Sequence, residues 1–178
     1  SAPAAAPVSD ASAPANADAS SAPIAATLAN AGISSSPSGT RAQFRVMLSS
    51  SFNGTNPLAG QAVFVSRKPM DQILKELGVA VPAKATPGQA MKALQTQCHS
   101  AQGCSAVIQS MPKYYVTTTK LDTSGKATLS ATATTGQYYF FAIVPNAAGG
   151  SLVWDLPANL AAGDNAVAFN QANAERVQ

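Results

Sequence analysis

Tyr138-Tyr139-Phe140-Phe141-Ala142-Ile143-Val144 is a run of seven residues without a charge, rich in aromatic and β-branched side chains. Successive residues of a strand point to opposite faces, and here both sets are apolar. A strand of this kind is covered on both sides, so it belongs at the centre of a sheet. Working upstream, Thr135-Gly136-Gln137 reads as a turn, residues 126–132 as a strand, Asp122-Thr123-Ser124-Gly125 as a hairpin turn and residues 114–121 as the strand paired through it. Downstream, residues 145–150 form a loop and residues 151–156 a strand that holds the single Trp and is stopped by Pro157. Ala162-Gly163-Asp164 turns the chain, and residues 165–170 are the last strand.

The same reading applies nearer the N-terminus. Residues 41–50 alternate, with Phe44, Val46 and Leu48 on one face and Arg45 and Met47 on the other. Asn53-Gly54-Thr55-Asn56-Pro57 is dense in turn formers, and residues 61–67 form a second strand, expected to make a hairpin with the first. Then the period changes. Residues 68–78 read as a helix with Pro69 in its first turn, Asp71 at its positive end and Gly78 ending it; Ile73, Leu74 and Leu77 supply the apolar stripe. Thr86-Pro87-Gly88-Gln89 is a capping box with Pro at the first helical position, opening a helix with Met91, Leu94 and Cys98 inward. Cys104, Val107, Ile108 and Met111 recur as a helix stripe that ends before Pro112.

The expected fold is therefore mainly β: a seven-stranded antiparallel β-sandwich, with sheets of three and four strands, and a helical insertion over residues 68–112 between strands 2 and 3. Residues 1–40 are a separate unit. Nineteen of the first 23 residues are Ala, Ser or Pro, a composition that cannot bury enough apolar surface to offset its ordering entropy. The expected organisation is a disordered tether over 1–40, a domain over 41–170 and a frayed tail over 171–178.

The runs Leu121-Asp122-Thr123-Ser124-Gly125-Lys126 and Gly136-Gln137-Tyr138 resemble a pattern of prealbumin-like (transthyretin-like) sandwiches, the carboxypeptidase regulatory-like and Cna B-type modules of exported bacterial proteins. There an Asp-x-x-Gly-Lys turn, a strand and a Gly-x-Tyr lead into a central strand, and Gly60-Gln61-Ala62-Val63-Phe64-Val65 is similar to an early element of the same modules. The resemblance spans fifty to sixty residues and implies a fold and an exported setting, with no activity attached. Some Cna B-type modules lock themselves through a Lys–Asn isopeptide bond beside a buried acid. Here the strand-rich part from Tyr114 to Asn170 has no Glu, and Asp155 is the only acid within an expected strand.

Charge and cysteine usage fit the exported setting. Charged residues make up only 11% of the chain, well below the usual quarter, and no run of eighteen apolar residues exists to cross a membrane as a helix. A start at Ser1 fits a signal already removed, with membrane contact only through an N-terminal lipid anchor. All eleven basic residues and six of the eight acids lie beyond residue 40, a modest positive field that reads first as a solvated surface and only second as one drawn to an anionic partner; nucleic acid is not an expected partner. Cys98 and Cys104, six positions apart around Gly103, are expected to form a disulfide. A closed zinc site would need a fourth ligand beyond Cys98, His99 and Cys104, and the spacing is not Cys-x-x-Cys.

Catalytic constellations are sparse. The lone His99 would have to serve any triad from the disulfide loop, Asp71 and Glu76 do not face each other on a helix, and Asp155 and Asp164 lie on different elements. The turn at Asp122 lacks the spaced acids of a calcium loop, and Asn53-Gly54-Thr55 fits a glycosylation acceptor but reads better as a turn. No catalytic residue, metal or cofactor is expected. Two surfaces are candidates for a partner. Arg67, Lys68, Lys75, Lys84 and Lys92 place five of eleven basic residues in and beside the insertion. Tyr114, Tyr115, Tyr138 and Tyr139 would put one ring of each pair outward as a contact surface, although core packing with ordinary surface Tyr is the favoured reading. The expected function is a non-enzymatic, secreted, periplasmic or cell-surface binding module that meets a protein or glycan of the envelope through the helical insertion. The alternatives are a structural lipoprotein-type domain of a larger assembly and a hydrolase dependent on His99 or Asp155.

Overall fold

Strand β5 (Gly136–Asn146) lies in the middle of a five-stranded sheet and is buried on both faces. Its Tyr138, Phe140, Ala142 and Val144 point into one hydrophobic core, and Phe141 and Ile143 into a second. This two-sided burial is what the uninterrupted apolar run dictates. The chain is described here from a computed structural model, which covers residues 39–99, 104–146 and 150–178. The tether expected over residues 1–40 lies almost wholly outside the described residues.

The elements in chain order are β1 (Arg41–Ser51), β2 (Ala62–Ser66), α1 (Met70–Glu76), α2 (Pro87–Cys98), α3 (Cys104–Ser110), a single 3-10 turn (Met111–Tyr114), β3 (Tyr115–Lys120), β4 (Lys126–Thr134), β5, β6 (Gly150–Leu160), β7 (Gly163–Asn170) and β8 (Glu175–Val177). They build two sheets, β4-β1-β7 and β3-β2-β5-β6-β8. The first core lies between the sheets, where Phe44, Val46 and Leu48 of β1 meet Phe140 and Trp154 of the larger sheet. Trp154 is fully buried between Phe52 and Phe169, edge-on to both, and its indole N–H donates to the Asn170 carbonyl at 3.0 Å. The second core lies on the other face of the five-stranded sheet. There Met70 and Leu74 of α1, Ala90, Met91 and Leu94 of α2, Val107 of α3 and Met111 close over Phe141, Val153 and Val177. The helices thus form a third layer, and the burial of six large side chains beneath them is worth on the order of 10 kcal/mol.

Several expectations change. Among the described residues there are eight strands, in sheets of three and five, and β1 pairs with β7 in parallel register, Phe44 opposite Gly163 through Ser51 opposite Asn170. β1 and β2 do not form a hairpin; they lie in different sheets, because the intervening segment buries Leu58 and crosses the sandwich. The turn at Asp122 also connects strands of different sheets. Leu121 N–H donates to Gln61 O at 2.9 Å and Gly60 N–H to Asp122 O at 3.2 Å, so the chain end of β3 is engaged by the β1–β2 connection. Pro157 does not stop β6, which runs on to Leu160. β8 pairs only with Ser151–Val153, so at Pro157 the outer edge of β6 needs no N–H. The tail does not fray: β8 pairs with β6, and Val177 is buried in the second core. A three-residue strand is too short for alternation to reveal it. Pro69 stands before α1 in extended conformation, not in its first turn, and Ile108 is 53% exposed, not inward.

Candidate functional site

The helical layer gathers most of the positive charge. From Arg67 to Lys113 there are six basic residues against two acids. Ion pairing then divides them. Lys68 Nζ reaches both carboxylate oxygens of Glu76 at 2.7 and 2.8 Å and holds that carboxyl below its ordinary pKa; Lys75 pairs with Asp71 at 2.8 Å, one helical turn away. Arg67 does not join them on the helices. Its guanidinium lies 3.7 Å from the Tyr138 ring centroid and donates to the carbonyls of Thr134 (2.6 Å) and Gln137 (3.0 Å), tying the end of β2 to the β4–β5 turn. Lys84 and Lys92 are exposed. The five candidate cations therefore do not make one patch: three are committed to internal partners and two face solvent.

Lys92 borders a concavity of this layer. A groove of about 450 Å³ runs between the outer side of α2 and the segment after α1. It is lined by Gln89, Lys92, Ala93, Thr96 and Gln97 on one side and Ala80 and Pro82 on the other. Sequence reading marked Lys92 alone, because the groove exists only once α2 packs beside residues 80–82. The polar stripe Gln89, Lys92, Thr96 follows helical spacing on the face opposite Met91 and Leu94, and that was its only signal. A second cavity, of about 20 Å³, is an apolar void between the sheets.

α2 is positioned firmly. Its capping box forms, with Gln89 N–H donating to Thr86 Oγ1 at 3.3 Å and Thr86 N–H to Gln89 Oε1 at 3.1 Å. Glu175 of β8 accepts from Gly88 N–H at 2.7 Å, placing a carboxylate at the positive end of the helix. At its far end Cys98 is joined to Cys104 of α3. His99 is exposed at the C-terminus of α2, its Nδ1 2.7 Å from Gln95 O. It borders neither cavity.

The four tyrosines do not form an outward row. Tyr138 is 2% exposed and lies in the inter-sheet core, edge-on to Phe44. Tyr115 stacks on Phe64 beneath the helices, and Tyr114 and Tyr139 are half-buried.

Asp155 is the unusual acid. It projects from β6 on the helix-covered side and accepts from Met70 N–H, the first amide of α1, through Oδ2 at 2.6 Å. Its Oδ1 is buried without a hydrogen-bond partner. Burial pushes the carboxyl up to about 7; the Met70 bond opposes this, and the nearby Asp71 charge adds to it. Tyr115 is pushed up to about 12, by burial first and then by Asp155. Asp155 lines neither the groove nor the void. Asp164 lies on the opposite sheet, paired with Arg45 at 3.2 Å. Among the described residues no group of His, Cys, Asp or Glu is arranged to hold a metal, and no helix is long and apolar enough to cross a membrane.

Comparison with protein-family models gives no match, and comparison with curated proteins finds no relative.

Proposed function

We propose that this protein is a non-enzymatic binding module, exported to the envelope or beyond, that meets an anionic glycan through the groove of its helical layer. The observation that carries this reading is the lining of the groove: an ammonium, two amides and a hydroxyl over a floor of small apolar side chains, with no acid among them. Sugar carboxylates and hydroxyls need such dispersed donors and acceptors, and a positive field draws them in. The disulfide supports an oxidising compartment. A prealbumin-like fold is part of the same reading, supported by the work its motif residues do. Asp122 Oδ1 accepts from Ser124 and Lys126 N–H, and Gly125 and Gly136 take positive φ at the sheet crossings.

Replacement of residues 68–112 by a turn would not test this reading, since it uncovers the apolar face of the five-stranded sheet. Point changes do. Titration with acidic and neutral oligosaccharides is expected to show binding of the acidic set, weakened at least tenfold by Lys92→Glu and unchanged by Lys126→Glu on the far sheet. Equal binding by both variants, or capture of an acidic peptide in place of any glycan, overturns it.

A further inference from the structure

The helical layer is attached to the sheet by two carboxyl groups, each at the start of a helix. Glu175 receives Gly88 N–H of α2, and Asp155 receives Met70 N–H of α1. The two differ in their surroundings. α1 has no side-chain cap of its own, because Pro69 stands at that position, so Asp155 supplies the acceptor from β6. Yet a carboxylate has four acceptor sites, and here Oδ1 is buried with none used. The ionisable groups on the elements around it are Asp71, Lys75 and Glu76 of α1, with Lys68 on Glu76, the exposed Lys92 of α2, Tyr115 and Lys120 of β3, Tyr139 of β5, and Glu175 and Arg176 of β8. Asp71 bears the same charge, Glu175 is engaged by Gly88, and the residue paired opposite Asp155 is Phe141. None of these offers Oδ1 a donor in the seated position.

We propose that Asp155 is a proton-operated latch on the helical layer: protonated, it keeps α1 seated on the five-stranded sheet, and ionised, it lets α1 lift. The bond to Met70 survives in either form, but the ionised form strands a charged oxygen in the interface, and lifting α1 returns that oxygen to water. The direction of the linkage follows. In the seated state the carboxyl holds its proton to about pH 7, whereas a solvated aspartic acid releases it near 4. Between these values the seated state carries one proton more than the lifted state. Each pH unit upward therefore multiplies the lifted-to-seated ratio by about ten, and the dependence levels off above pH 7. The latch operates whatever the groove binds.

Amide hydrogen exchange resolved by NMR, with each rate divided by its intrinsic value, tests this from pH 5 to 8. Protection of the Ile73 and Leu74 amides is expected to fall about tenfold per unit between pH 5 and 7, to stay below that of β5, and to become independent of pH in Asp155→Asn. Three results overturn the latch: protection in the native protein that does not vary with pH, the same slope in the variant, or α1 amides that exchange only as slowly as those of β5. Should Asp155→Asn fail to fold, the carboxyl ¹³C shift of Asp155 in the native protein decides. A midpoint within one unit of 7 that coincides with the change in α1 protection supports the latch, and any other midpoint overturns it.

Discussion

Gly125 shows how one residue can hold the two sheets together. It sits at φ +76°, and a Cβ there would run into Ser50 Oγ and Asn56 Nδ2. Those two groups are bonded to each other at 2.7 Å, and Ser50 Oγ donates to the Gly125 carbonyl at 2.9 Å. Asn56 Oδ1 in turn accepts from the N–H of Leu58, which is fully buried between the sheets. Gly125→Ala meets a backbone penalty of 1–2 kcal/mol and breaks this polar cluster, so a loss of about 3 kcal/mol is expected in urea denaturation. A loss under about 1 kcal/mol would show that the turn is not a clamp. Sequence reading found the turn through Asp122, Ser124 and Gly125 because turn chemistry is local. It misassigned the partner strand because nothing within four residues encodes which sheet the chain joins next.

At the scale of elements, legibility follows the same rule. The box at Thr86 and Gln89 is specified by two side chains three residues apart, and it forms as read. The run from Tyr138 to Val144 announced burial on both faces, but not that its second cover would be the helices. The groove was legible only as a polar stripe on α2. Cys98 and Cys104 were legible as a pair, and their bond gives α3 its firmest anchor. α3 is seven residues long, too short to persist alone, and among its residues only Val107 is buried. Closing so short a loop stabilises by about 2 kcal/mol. The double change Cys98→Ser with Cys104→Ser is therefore expected to lower stability by about that amount, with the loss of amide protection concentrated in α3 and the end of α2. Protection lost first from β5 would place the effect of the disulfide in the sheets instead.

At the largest scale the described residues form three layers whose parts are held by β8. β8 is three residues long, yet it extends the central sheet, buries Val177 in the second core and presents Glu175 to α2. The fit is close: a Cβ on Gly88 would stand 2.6 Å from Glu175 Oε2, and a Cβ on Gly150 2.6 Å from Val177 O, so both positions admit only glycine without a shift. The order of the chain matters here, because β8 can be laid down only after β6 exists and closes on a helix placed some ninety residues earlier. Ending the chain after Asn173 removes one buried Val, worth about 2 kcal/mol, and one charged hydrogen bond, worth about 2 kcal/mol. A loss near 4 kcal/mol is therefore expected in denaturant unfolding, with protection falling first in α2 and along Ser151–Val153. A shortened chain as stable as the full one would mean that the helices hold to the sheet through their apolar faces alone. The carboxylates of β6 and β8 would then set only where they sit.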